Sequence, residues 1–81
     1  MAKPSPTYAG DQNLMSLGSA IRRTRKEIGL SQEALALEAD LDRSYVGGVE
    51  RGEHNLTVVS LIKLSNSLQI KPSVILAKSG L

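Results

Sequence analysis

The sequence predicts an all-α fold, a compact bundle of about five short helices, and three observations carry that prediction. Apolar residues recur at spacings of three, four and seven, the signature of one buried helix face. Gly, Pro, Ser, Thr and Asp stand where helix ends need them. No segment alternates with the two-residue period of a strand. The 81 residues leave room for one small domain, which excludes a two-domain enzyme. Apolar residues at 41% and charged residues at 22% are the balance of a chain that packs a core. That core is expected to be aliphatic, since Phe and Trp are absent and only Tyr8 and Tyr45 are aromatic.

Residues 1–13 hold Pro4, Pro6 and Gly10 without an apolar period and read as a flexible arm, from which Lys3 could touch a phosphate. Residues 14–81 read as the folded domain. Leu14, Leu17, Ile21 and Ile28 share a face of the first helix, which Gly29 ends. Ser31 caps the second, with Leu35, Ala36 and Ala39 inward and Asp40 at its end, one of the few residue types that accept positive φ. Asp42 caps a third helix running through Arg51, with Val46, Val49 and Glu50 on one side and Gly52 beyond. Only Asp40 to Asp42 separate these two short helices, and so tight a connection is a helix-turn-helix, its axes crossing at about 90° to 120°. Thr57 caps a fourth helix that aligns Val58, Leu61, Leu64 and Leu68. Pro72 opens a last helix carrying Val74, Ile75 and Leu76.

Cysteine is absent, so disulfides and thiolate zinc sites are excluded, and a partner chain is the remaining aid to a small core. There is no apolar run of about eighteen residues and no signal-peptide centre, so the expected location is cytoplasmic, with no membrane partner. The net charge of +2 is unevenly spread: residues 1–28 are cationic through Lys3, Arg22, Arg23, Arg25 and Lys26, and residues 29–56 set six carboxylates against Arg43 and Arg51. An acidic middle excludes wholesale coating by phosphate, so any nucleic-acid contact falls to particular side chains. At 100° per residue, with Val46 and Val49 inward, the opposite edge of the third helix carries Ser44, Gly48 and Arg51, flanked by Tyr45. The helix is about 15 Å long and a major groove about 12 Å wide admits it. Gly47 and Gly48 inside it each cost up to about 1 kcal/mol relative to alanine. Close packing on the second helix at Gly47 and accident at Gly48 compete with a functional reading, in which bare Gly48 lets the backbone approach DNA.

Residues 17–70 resemble the helix-turn-helix domain of the Xre-type transcriptional regulators, the group of the phage Cro and repressor proteins, through GLSQEALA, the ERG closing the third helix and the LxxLxxxL rhythm of the fourth. The segment DRSYVGGVERGEHNLT is most similar to the controller proteins of restriction-modification systems. The resemblance implies a lambda-repressor-like fold and a sequence-specific regulator of transcription. It puts Gln32 at a helix N-terminus against the DNA backbone, Arg43 and Ser44 at the base edges, Tyr45 at a phosphate or the core edge, and Arg51 and Asn55 on the backbone beyond the groove. Arginine presents a fork that fits guanine O6 and N7. Arg25 and Glu50 match an internal ion pair of the family. Arg22, Arg23 and Lys26 border the DNA or simply form a solvated face. Leu56 and His54 depart from the proline and arginine common in relatives, so the phosphate grip there is expected to be weaker or pH-sensitive, with His54 itself a surface histidine and Asp42 a cap.

The resulting expectation is a homodimer on a two-fold symmetric operator whose half-sites lie about 34 Å or a multiple apart. Val59, Ile62, Val74, Leu76 and Leu81 exceed one small core and are expected to supply the C-terminal dimer surface. RNA polymerase is a further candidate partner. The rival reading is a protein-interaction module of the same fold, an antitoxin or bridging factor. One histidine, no cysteine and no phosphate loop supply no nucleophile with a base and no metal-ligand pair, so no enzyme, cofactor, catalytic residue or metal is expected.

Overall fold

The computed structural model describes residues 10–81, and every regular element among them is helical. In order these are α1 (Gln12–Glu27), α2 (Gln32–Ala39), α3 (Arg43–Glu50), α4 (Val58–Ser67) and α5 (Pro72–Lys78). Most of the expected arm, Lys3 and Tyr8 included, lies outside the described residues. The first helix begins two residues before the expected Leu14, because the Asp11 carboxylate accepts from the amides of Asn13 and Leu14 at 2.9 and 3.2 Å. A capping aspartate satisfies N–H groups that have no partner inside the helix. Ser31, Asp42 and Thr57 cap α2, α3 and α4 as their positions predict, accepting from Ala34, Ser44 and Ser60, and Pro72 occupies the first turn of α5.

All five helices finish with one device. A residue with positive φ, in turn Gly29, Asp40, Gly52, Gln69 and Gly80, follows the last turn. The residue after it then donates its amide to the carbonyl five residues back: Leu30 to Arg25, Leu41 to Ala36, Glu53 to Gly48, Ile70 to Ser65 and Leu81 to Leu76, at 2.9 to 3.1 Å. This is the Schellman termination, which satisfies carbonyls left over at a helix end. It is why five helices fit into so short a chain with sharp, ordered turns.

The core is aliphatic. Ile21, Leu35, Val46, Leu64, Leu68 and Ile75 are fully buried at the centre, each helix contributing at least one of them or its cap. Of the expected core positions, Leu14 is half-buried outside the core and two more are exposed. Ile28 is 42% exposed, since it is the cap residue of α1 and the turn at Gly29 sends Leu30 inward instead. Val58 is 71% exposed, because it opens α4 about 70° from the centre of the stripe formed by Leu61, Leu64, Ser65 and Leu68. Buried hydroxyls are internally satisfied: Thr24 donates to the Ala20 carbonyl and Ser65 to the Leu61 carbonyl, both at 2.8 Å.

α3 lies against α1 and α2. Its seat on α1 is Gly18, where a methyl group would run into the carbonyl oxygens of Val49 and Glu50, the latter at 2.7 Å. Backbone touching backbone there fixes how far α3 stands from the core, and hence what its other edge presents.

Candidate nucleic-acid interface

The turn from Ala39 to Arg43 is short because Asp40 takes the left-handed conformation at φ 56° and Asp42 at once caps the next helix. The Asp42 carboxylate accepts from both the hydroxyl of Ser44, at 2.8 Å, and its amide, at 3.3 Å. These bonds, the hydroxyl first and the amide second, hold the Asp42 carboxyl below the usual carboxylate range.

Orientation of α3 comes from a buried ion pair. Arg25 donates from Nε and Nη2 to the two oxygens of Glu50 at 2.6 and 3.0 Å, and its Nη1 donates to the Leu30 carbonyl at 2.9 Å. Both partners are buried, the geometry is bidentate and every guanidinium nitrogen is engaged. The pair thereby ties α1, the α1–α2 turn and the end of α3 together.

From Glu50 a chain of polar contacts runs outward. Gln32 donates Nε2 to Glu50 Oε1 at 3.0 Å, and its Oε1 accepts from Arg43 Nη1 at 3.5 Å. Gln32 occupies the first residue of α2, half-buried, and its amide nitrogen, which carries two hydrogens, gives one of them to Glu50. Its role here is to link the buried pair to Arg43, which opens α3 and is exposed. Arg51 arrives from the far end: a side chain at Gly47 would meet Arg51 Nη1 at 3.1 Å and Gln32 Oε1 at 3.5 Å. A Cβ at Gly47 would thus sit in ordinary contact with Gln32 and slightly tight against the tip of Arg51, so the bare position eases the approach of those two side chains. Packing against the second helix was one of the readings of Gly47, and Gln32 is the group it packs against.

The other glycine behaves differently from the functional expectation. Gly48 is buried, because the His54 imidazole lies over it, where any Cβ would collide with the ring. The same ring packs against Tyr45 with centroids 5.0 Å apart and planes tilted by 33°. Gly48 therefore offers no bare backbone, and His54 is not a simple surface histidine: it is half-buried, and its Nε2 is enclosed without a hydrogen-bond partner. Ser44 is half-buried and committed in part to Asp42. Tyr45 is half-buried against the core edge, and Asn55 is exposed beyond the helix.

Sequence reading missed Glu53. Its carboxylate accepts from Arg51 Nε at 2.8 Å and Nη2 at 3.1 Å. That contact raises the Arg51 guanidinium's affinity for its proton and lowers the Glu53 carboxyl below the usual range. Opposite charges two residues apart in Arg51-Gly52-Glu53 were the available signal, but only the sharp turn at Gly52 brings them together.

A short two-helix turn with its second helix fixed by a buried ion pair, and with Arg43 and Arg51 at its outer edge, defines the chain as a helix-turn-helix protein. The comparisons agree: the helix-turn-helix family model matches residues 21–75, and the chain belongs to that family, in the branch of restriction-modification controller proteins. Control protein C.MunI from Mycoplasma sp is 43% identical over 54 residues, covering 65% of this chain and 73% of that protein. The crystal structure of the controller protein C.AhdI from Aeromonas hydrophila superposes with a TM-score of 0.77 at 48% identity, over 78% of this chain and 96% of that one. C.Esp1396I, solved bound to a 19 base pair DNA duplex, superposes with a TM-score of 0.76 at 36% identity, over 85% of this chain and 96% of that one.

Proposed function

We infer that the protein is a sequence-specific DNA-binding regulator of transcription, of the restriction-modification controller type, and that it acts as a homodimer on a two-fold symmetric operator. The observation that carries this reading is the placement of Arg43. It opens α3, is exposed, and lies within 3.5 Å of the amide oxygen of Gln32, whose Nε2 donates to Glu50, so its guanidinium keeps most of its donors for a ligand. An exposed arginine at the front of a groove-sized helix suits bidentate contact with a guanine edge.

Arg51 and Asn55 are assigned to the DNA backbone, Ser44 and Tyr45 to the margins of the contact, and Gln32 to the positioning of Arg43. Dimerisation is assigned to the C-terminal helices, where Val59, Ile62, Val74 and Leu81 are exposed while Leu76 packs partly into the protomer's own core. Among the described residues no helix is long and apolar enough to cross a membrane, and a cytoplasmic site of action fits a protein that meets promoters and, as a further partner, RNA polymerase.

Selection of bound sequences from a random duplex pool tests the assignment, and a palindromic motif is the expected result. On that motif Arg43→Ala should remove about 1 to 3 kcal/mol of preference at one or two base pairs. Arg51→Ala should weaken all duplexes alike and flatten the salt slope by about one unit. A pool that yields no motif, with equal affinity for every duplex, returns the protein to the rival reading of an interaction module.

A further inference from the structure

Glu53 violates two local rules at once. The residue that follows the left-handed turn of a Schellman termination normally packs an apolar side chain back on its helix, and α1, α2 and α4 obey with Leu30, Leu41 and Ile70, while α5 carries an apolar but exposed Leu81. α3 alone among these places a carboxylate there. A helix C-terminus is moreover the negative end of the helix dipole, where an anion is disfavoured. The compensation is Arg51, and the backbone of the turn between the two is closed: Gly52 and Glu53 donate their amides to the Val49 and Gly48 carbonyls at 3.0 and 2.9 Å, and His54 is packed over Gly48. The Glu53 side chain is 28% exposed where that of Arg51 is 59% exposed, so the guanidinium is the partner with more access to solvent.

The contact uses both Nε and Nη2 of Arg51, the same two-pronged fork that a phosphate takes from an arginine. We propose that Glu53 is an internal phosphate surrogate, occupying the fork of Arg51 in the free protein so that DNA must displace it before Arg51 grips the backbone. The proposal rests on the reading of the chain as a duplex-binding protein. Because every duplex offers the same phosphates, the cost of displacement is equal on all sequences: Glu53 tempers affinity without altering which operator is preferred.

The test is a double-mutant cycle on duplex binding, with unaltered protein, Glu53→Gln, Arg51→Ala and the double variant, each against the selected operator and a random duplex at one salt concentration. Glu53→Gln keeps the shape of the side chain and removes its charge. It should tighten binding by about two- to fivefold, the range that exposed ion pairs support, and by the same factor on both duplexes. In the Arg51→Ala background the gain should vanish. A gain of equal size in that background would overturn the proposal, since it would show ordinary repulsion between carboxylate and DNA. A changed ratio between operator and random duplex would overturn it too, by making Glu53 a base-reading residue, as would no gain at all. Failure of the unaltered protein to bind any duplex at low salt would remove the underlying reading and the proposal with it, whatever the variants do.

Discussion

Gly18 and Arg25 show how single residues far from any ligand decide what the recognition edge can be. Both lie on α1, and both act on α3. A methyl at Gly18 meets carbonyl oxygens, which cannot rotate aside as a side-chain tip can. Gly18→Ala should therefore push α3 off its seat and destabilise the fold by about 1 to 3 kcal/mol, the range for overpacked cores, even though alanine is the better helix former. Urea unfolding measures it, and an unchanged or raised midpoint would show that α3 sits more loosely than the contact implies. Arg25→Ala strands the Glu50 carboxylate in the interior and should cost about 3 to 5 kcal/mol, whereas Arg25→Met with Glu50→Leu should recover most of that loss. Recovery of folding without recovery of operator binding would separate the two duties of the pair, because Gln32 would then have no Glu50 to donate to.

At the scale of the helices, most ends were legible and most faces nearly so. Ser31, Asp42 and Thr57 accept from amides within three residues of themselves, and Pro72 fixes its own φ in the first turn, so their roles need no knowledge of the rest of the chain. Asp11 acts by the same rule, but the prolines before it invite the reading of an arm. Spacing alone puts Ile28 and Val58 on the core face, but a residue at a helix end has neighbours on one side only, and both are exposed. Gln69 at φ 62° is invisible to sequence reasoning, since nothing marks glutamine as a left-handed residue. The covering of Gly48 by His54 is likewise set by how a loop folds back, and no local pattern encodes it.

The cap of α3 also makes a pH prediction. The Asp42 carboxyl is depressed in the folded chain, so its contribution is fully present above the ordinary aspartate value of about 4 and is lost as pH falls through the folded value. Asparagine caps about as well but does not titrate. The advantage of the unaltered chain over Asp42→Asn should thus shrink between about pH 5 and about pH 2, measured as the gap between their urea midpoints. Glu53 titrates in the same direction in both proteins and cancels from the gap. A gap that stays constant with pH would show that the Ser44 bonds do not favour the charged carboxylate.

For the whole molecule the question is what a domain of this size does with apolar side chains it cannot bury. Val58, Val59 and Ile62 on α4, with Val74 on α5 and Leu81 after it, remain exposed, while the polar edge formed by Gln32, Arg43 and Arg51 belongs to α2, α3 and the residue that caps α3. Self-association through α4 and α5 would remove the former from water and leave the latter free. Val59→Glu combined with Ile62→Lys should then give a monomer by sedimentation. Each protomer's unfolding should no longer depend on protein concentration, because a folded dimer is stabilised by mass action and a monomer is not. Operator affinity should fall about a hundredfold or more, since two half-site contacts joined in one particle gain from effective concentration what separate contacts cannot. A single half-site duplex, which only one protomer can read, should be bound almost as well as before. If the variant stays dimeric, the interface lies elsewhere; if it is monomeric yet binds the full operator undiminished, the two half-sites are filled independently and the symmetry of the operator does not reflect that of the protein.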